Sequence, residues 1–365
     1  MNIALAHDYL LVRRGAERSF LAMTEIWPEA PIFTLLYNEA GLGPDLSSRD
    51  VRTSHLQRLP VSQASFRRLL PLFPHAVESL DLEAFDLVVS SSSAYAHGVR
   101  TRPDAIHLCY CYTPFRYAWY EEARALHESP AVLRPLVRRT LKRARHWDVR
   151  AARRVTHYVA ISELSRERIR RYLGRDASVV HPPVELSRFA PAEPEDFFLV
   201  VCELVRHKQV EVALEAARAS RRPIKVVGGG PDAQRLQAKY GDHAEFLGRV
   251  PDQVLADLYA RCRALVLPNV EEFGIAAVEA QAAGRPVLAV DAGGARETVV
   301  EGRTGSFVAP GDADAMARAM TRVDWDGFDA DAAVANAHRF SRETFQERLR
   351  LEVERVRHSA VPSAA

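Results

Sequence analysis

Four cysteines in 365 residues are too few for a disulfide scaffold, and no Cys-x-x-Cys pair or Cys/His cluster has the spacing of a zinc site. A reducing, cytoplasmic setting is expected. No window approaches the ~20 apolar residues that a spanning helix needs, so contact with a bilayer would be peripheral, on the inner face of the plasma membrane. The chain starts Met-Asn-Ile-Ala-Leu-Ala and meets His7-Asp8 at once, without a basic lead or a cleavage site, which reads as a buried first strand and not a secretory signal. An excess of one charge is missing too: Lys+Arg 49 and Asp+Glu 47 leave a formal net charge of +2. That excludes a basic coat for nucleic acid and an acidic solvating chain.

What is present is a globular composition, 47% hydrophobic and 26% charged. The length is about twice the ~100–200 residues of one domain, so two domains are expected. Short apolar runs alternate with longer amphipathic stretches, the pattern of parallel sheets with crossover helices. In the first half the runs are Ile3–Ala6, Ile32–Leu35, Leu87–Ser90, Ile106–Tyr110 and Tyr158–Ile161. In the second they are Phe198–Val201, Ile224–Val227, Ala244–Leu247, Ala264–Leu267 and Pro286–Val290. Cys109 and Cys111 alternate along one such run and read as core. Between the halves, Val180–Pro194 carries four prolines, which fix φ, remove donors and break helix and strand alike. The sequence thus divides into an α/β domain at 1–183, a second at 184–340 and a helical tail at 341–365, of which Val361–Ala365 is expected to fray.

Two stretches depart from the neutral average. Arg134–Arg154 carries Arg138, Arg139, Lys142, Arg143, Arg145, Arg150, Arg153 and Arg154 against Asp148 alone. It suits anionic headgroups or an acceptor pyrophosphate, and equally a solvated helix face. Ala64–His75 flanks paired arginines with bulky apolar residues, and fits an interface or the packing of a loop.

The segment richest in chemistry is Pro268–Pro286. A strand ends, a loop follows with Glu271 and Glu272, Gly274 opens an alanine-rich helix, and Gly284 and Pro286 close it. A helix amino end offers free N–H groups and partial positive charge, which suits a diphosphate. Carboxylates beside a diphosphate would repel it, so Glu271 and Glu279 suit hydroxyls on either side. An acidic first turn answering the helix dipole is the plainer alternative.

The Glu271-x7-Glu279 element, with Phe273-Gly274-Ile275 at its centre, resembles the donor-site signature of retaining glycosyltransferases of family 4. That family has the GT-B fold, two doubly wound Rossmann-like domains facing across a cleft. Further similar stretches follow in order: His7-Asp8-Tyr9, Gly15-Ala16-Glu17, Tyr110 to Trp119, Leu204 to Lys208, Gly228-Gly229-Gly230-Pro231, Phe246 to Val250 and Gly293 to Glu297. Within the family the chain looks most like mannosyltransferase-type enzymes of bacterial surface polysaccharide assembly.

The resemblance implies that Glu271 faces the donor sugar, Glu279 the ribose, and Lys208 the leaving diphosphate. Gly15, Glu203, Arg206, Gly248, Val250, Phe273, Gly274 and Ile275 complete the donor side. Asp8, Tyr112 and Arg116 form the acceptor side, and the C-terminal helix crosses back onto the first domain. It also implies a metal-independent transfer without a resident cofactor, a nucleotide-diphosphate sugar as co-substrate, GDP-mannose as the leading donor and a lipid-linked glycan as the leading acceptor. A UDP-sugar with a soluble acceptor is the alternative.

Two positions depart from the family. Glu203 stands where a second phosphate cation is usual, with Arg206 nearby to compensate. Tyr112 stands where related enzymes have a histidine, and a phenol with a pKa of ~10 is a poor base at neutral pH. These departures leave open a non-catalytic homologue that only binds sugar nucleotides. A nicotinamide-dependent oxidoreductase is a second rival, because Gly228-Gly-Gly230-Pro-Asp-Ala233 follows a strand in a loose dinucleotide-binding form.

Overall fold

The computed structural model describes residues 1–59 and 66–360, and divides into two compact units. One is Met1–Pro182 together with the chain from Phe345 onward; the other is Pro183–Thr344. The first unit holds a seven-stranded parallel sheet of β1 (Ile3–His7), β2 (Ile32–Thr34), β3 (Val51–Thr53), β4 (Leu87–Ser92), β5 (Ile106–Cys111), β6 (His157–Ala160) and β7 (Ala177–Val179), in the order 3-2-1-4-5-6-7. The second holds a six-stranded parallel sheet of β8 (Phe198–Val201), β9 (Ile224–Val227), β10 (Ala244–Gly248), β11 (Ala264–Leu267), β12 (Val287–Val290) and β13 (Gly305–Val308), in the order 10-9-8-11-12-13. Both are doubly wound α/β units, the architecture the alternating pattern implies.

All ten runs read as strands are strands. The three that escaped, β3, β7 and β13, lie at sheet edges, where one partner is absent and apolar continuity is not required. β3 and β7 are only three residues long, and β13 begins on Gly305 because a Cβ there would come within 2.1 Å of the Val287 carbonyl. The central strands β4 and β11 are buried throughout, as their unbroken apolar runs require.

Five helices matter for function: α1 (Gly15–Thr24), α2 (Arg134–Ala152), α3 (Val210–Ser220), α4 (Ile275–Ala282) and α5 (Arg342–Ala360). α5 begins in the second unit and runs into the first, where Phe345, Leu349, Val353 and Val356 are buried. Each such side chain contributes about 1.5–3 kcal/mol. Phe345 meets Tyr110 edge-on at 5.5 Å, and Gln346 donates to the Ala22 carbonyl at 3.0 Å. Ala64 and Ser65 of the apolar, basic stretch and all of Val361–Ala365 lie outside the described residues. In the rest of that stretch Phe73 is a core residue and Phe66, Leu69 and Leu70 pack against the core, which favours packing over an interface.

The sheet of the first unit also buries a histidine. His107 is 0% exposed; its Nε2 lies 2.7 Å from Ser90 Oγ, while its buried Nδ1 has no hydrogen-bond partner. The neutral ring therefore carries its proton on Nε2 and donates to Ser90. A second proton would put a charge in an apolar site without an acceptor, and burial lowers the pKa to about 3, with His97 and Arg154 adding repulsion. Because the folded state takes up this proton less readily than the unfolded chain, its contribution is full above pH ~6.5 and is lost as pH falls toward about 3. We expect His107→Gln, which keeps a hydrogen-bonding amide but cannot titrate, to flatten the decline of Tm between pH 6.5 and pH 4. Equal slopes for the two proteins would show that His107 does not drive the acid limb.

Candidate active site

In the second unit the chain winds outward from β8 in one direction and from β11 in the other, so the loops beyond these adjacent strands part and leave a crevice at their carboxyl ends. The loop after β8 carries Glu203, Arg206 and Lys208. Glu203 and Arg206 are exposed, Lys208 half-buried. Its short turn, Arg206–Lys208, passes through Gln209 at φ 48° before entering α3. A left-handed non-glycine residue is strained, and here it reverses the chain directly beyond Lys208.

The loop after β11 brings the acidic partner. Lys208 Nζ donates to both oxygens of Glu271, at 2.6 and 2.8 Å, and the Asn269 amide donates to Glu271 Oε1 at 3.1 Å. Residues 63 apart in sequence thus form a part-buried ion pair with side-chain exposures of 21% and 18%. Asn269 was not singled out from the sequence, although an asparagine following a fully buried strand was the available signal; it is 5% exposed and holds the carboxylate from behind. The thiol of Cys202 borders the same site. Burial pushes it up to about 12, Lys208 opposing and Glu271 and Glu203 reinforcing, so it stays neutral.

The Glu271 backbone is fixed as well: its carbonyl accepts from Gly294 N–H at 2.9 Å. Phe273 is buried edge-on against Phe340 at 5.3 Å. Gly274 caps α4 at φ 93°, where glycine is favoured, and its carbonyl accepts from the Ala277 N–H at 3.0 Å as the first turn of α4 begins. Ile275 is half-buried on that first turn. Glu279 lies one turn in, its Oε2 accepting from the buried Tyr259 hydroxyl at 2.9 Å. Gly248 ends β10 at φ 65° and its carbonyl accepts from Gly228 N–H at 2.8 Å; Val250 is half-buried beyond it.

Gly228 and Gly230 serve a different purpose from a dinucleotide cradle. A Cβ on Gly228 would lie 1.8 Å from the Cys202 carbonyl oxygen, and one on Gly230 would lie 2.3 Å from that of Leu204. These glycines let the β9 loop lie against the β8 loop. The dinucleotide fingerprint belongs after the first strand of such a unit, which here is β8. The oxidoreductase reading loses its motif.

In the first unit the corresponding crevice lies between β1 and β4. Asp8, placed on the acceptor side by resemblance, is 2% exposed and accepts from the backbone N–H groups of Ser93, Ala94, Tyr95 and Ala96 at 2.6–3.0 Å, and from Ser92 Oγ at 3.4 Å. Its lone pairs are thus spent on the loop after β4. Tyr112 is engaged likewise: its hydroxyl donates to the Ala16 carbonyl at 2.8 Å and lies 3.0 Å from Ser91 Oγ. Burial raises its pKa above the ordinary phenol value, so it cannot serve as a base. Arg116 is more open, with 37% of its side chain exposed and Nη1 3.9 Å from Glu121. Gly15 is the first residue of α1, whose Glu17 accepts from the Arg14 N–H at 2.9 Å. The neighbouring aromatics stack on one another: Trp119 and Tyr120 flank Tyr172 at 5.2 and 6.0 Å, and Phe115 meets Tyr95 at 5.2 Å. Among the described residues no group of three or more His, Cys, Asp or Glu side chains could hold a metal ion.

Residues 185–339, nearly the whole second unit, match the family described as glycosyl transferases group 1. A D-inositol 3-phosphate glycosyltransferase of Streptomyces avermitilis is 34% identical over 194 residues, 44% of this chain and 42% of that protein. A GDP-mannose-dependent alpha-(1-6)-phosphatidylinositol monomannoside mannosyltransferase of Mycolicibacterium smegmatis is 32% identical over 194 residues, 44% of this chain and 50% of that protein. The matched segments thus span about half or less of these relatives. Among solved structures, HepE of Anabaena in complex with UDP superposes with a TM-score of 0.68 over 97% of this chain and 100% of its own, at 16% identity. The fold is that of the two-domain GT-B glycosyltransferases.

The loop holding Glu271 depends on one close approach. A Cβ on Gly294 would lie 2.3 Å from Phe273 Cα, whereas one on Gly229 would meet only the Arg249 side chain at 3.7 Å. Gly294→Ala should therefore cost at least about 1–3 kcal/mol of stability and Gly229→Ala close to nothing, read by denaturant unfolding. Equal stability of the two variants would remove the constraint we assign to Gly294.

Proposed function

We propose that this chain, whose second unit carries the glycosyl transferases group 1 module, is a retaining, metal-independent glycosyltransferase that takes a sugar from a nucleotide-diphosphate donor. The observation that carries the reading is the meeting of Lys208 and Glu271 at the strand-order reversal of the second sheet, beside the amino end of α4. A diphosphate needs fixed positive charge and oriented N–H donors as its bond to the sugar breaks, and this is the electrostatic help that usually weighs most in catalysis. Lys208 supplies the first and the first turn of α4 the second. Glu271, anchored by Asn269, accepts from sugar hydroxyls, and Glu279 from the ribose.

No histidine base is required if the acceptor attacks from the side the diphosphate leaves. The acceptor oxygen bonds the anomeric carbon, the carbon–oxygen bond to phosphate breaks, and the acceptor proton passes to the departing phosphate oxygen. The products are the glycosylated acceptor and a nucleoside diphosphate, with the anomeric configuration kept. Tyr112, held as a neutral donor to Ala16, fits a mechanism without a protein base on that strand. GDP-mannose is the leading donor, in keeping with the mannosyltransferase similarity, and UDP-sugars are the alternative suggested by a neighbour of the same fold.

With the true donor, found by screening nucleotide sugars for thermal stabilisation and hydrolysis, Lys208→Ala and Glu271→Ala should each lower kcat by about 10²-fold or more. Wild-type turnover by both variants would refute the site. Donor binding without transfer or hydrolysis would favour a binding protein.

The lipid-linked acceptor reading calls for a membrane face, and α2 with its approach offers one. Val132, Leu133 and Leu136 are 84%, 46% and 62% exposed, followed by exposed Arg138, Arg139, Lys142 and Arg143. The opposite side of α2 buries Leu141, Ala144 and Trp147; Arg145 and Arg154 are paired with Glu122 and Glu78, and Arg138 also lies 3.8 Å from Glu122. Apolar side chains beside cations suit an anionic leaflet, each cation contributing about 1 kcal/mol. Replacing these four cations by glutamine should weaken binding to phosphatidylglycerol vesicles by more than about tenfold and leave soluble-donor hydrolysis unchanged. Unaltered vesicle binding would rule out this face.

A further inference from the structure

We propose that Glu271 also sets the discrimination between the intact nucleotide sugar and the spent nucleoside diphosphate, by competing with the diphosphate for Lys208. This rests on the donor-site reading above. Both Glu271 oxygens are held by Lys208 Nζ, at 2.6 and 2.8 Å, in a pair about four-fifths withdrawn from solvent. Any diphosphate that recruits Lys208 must first draw it off this carboxylate. The cost is the same for donor and product, but the recovery is not. A nucleotide sugar brings hydroxyl donors to the vacated carboxylate. A nucleoside diphosphate has no sugar there and leaves Glu271 with the Asn269 amide alone.

The rest of the loop sharpens the competition. Glu203, exposed in the same loop, adds negative charge near the site, and the half-buried Cys202 thiol, pushed up to about 12, adds no charge at all. Arg206 is the remaining cation of the short turn apart from His207 and Lys208, and it is exposed to solvent, where its attraction is screened. Lys208 is therefore the cation whose release matters. A site so arranged lets product go while retaining donor, which favours repeated turnover where the nucleoside diphosphate accumulates.

The test is a binding cycle on the full chain with GDP, UDP and their common sugar derivatives, for wild type, Glu271→Gln, Glu271→Ala and Lys208→Met. Glutamine keeps the shape and removes the charge, and thermal melts verify that each variant is folded. Both Glu271 variants should bind the nucleoside diphosphate about fivefold more tightly than wild type, while the nucleotide sugar binds no more tightly, so that the preference collapses. Lys208→Met should weaken both ligands. Nucleoside diphosphate affinity that is unchanged or lower in both Glu271 variants would overturn the competition while leaving the donor site in place. Failure of the wild type to bind any of these nucleotides would overturn the donor-site reading itself, and the competition with it.

Discussion

A parallel sheet threaded outward from its middle must leave two neighbouring strands whose loops depart to opposite sides, and this topological constraint makes the site. In the second unit it falls between β8 and β11. Without the reversal, Lys208 and Glu271, 63 residues apart, would have no common ground. Everything specific to the site is arranged around that crevice: the left-handed turn at Gln209, the glycines that let one loop lie on another, and the α4 amino end opened by Gly274. Strain and close packing are concentrated where the chain must deliver polar groups, while the strands beneath are apolar and buried.

The first unit has the same reversal, between β1 and β4, and uses it differently. Four successive N–H groups after β4 form a concave donor set of the sort that binds anions, and the chain fills it with its own Asp8. No external phosphate can use that nest while Asp8 occupies it. The neighbouring polar chain of His7, Ser91, Tyr112 and the Ala16 carbonyl is likewise closed on itself. In the second-unit crevice, by contrast, Lys208 and Glu271 are held half-buried against each other with, among the described residues, no backbone nest closed over them.

What was legible in the sequence follows from how local each signal is. Central strands buried on both faces announce themselves as short apolar runs, and with the edge strand β10 ten of thirteen were readable; the three missed are edge strands that lack that continuity. The donor loop was legible because Glu271, Gly274 and Glu279 lie within one strand–loop–helix segment whose spacing carries its own physics. Asn269 was not, since a single amide declares its partner only in three dimensions. Asp8 and Tyr112 were located by resemblance, and their side-chain partners, from residue 16 to residue 96, are spread over sequence distances that no pattern reveals. The glycines at 228 and 230 show the converse: a run that looks like a phosphate cradle is explained by two carbonyl oxygens 26 residues away at each position.

The near-zero net charge is the sum of separate arrangements with opposite tasks. On α2 the cations at 138, 139, 142 and 143 stay at the surface, where solvent screens them from the interior. Lys208 is instead half-buried and paired with Glu271. A cation withdrawn from solvent without a partner would be costly, and the pairing of Lys208 with Glu271 removes that cost. Neither could be replaced by an apolar residue without leaving the other charge unanswered.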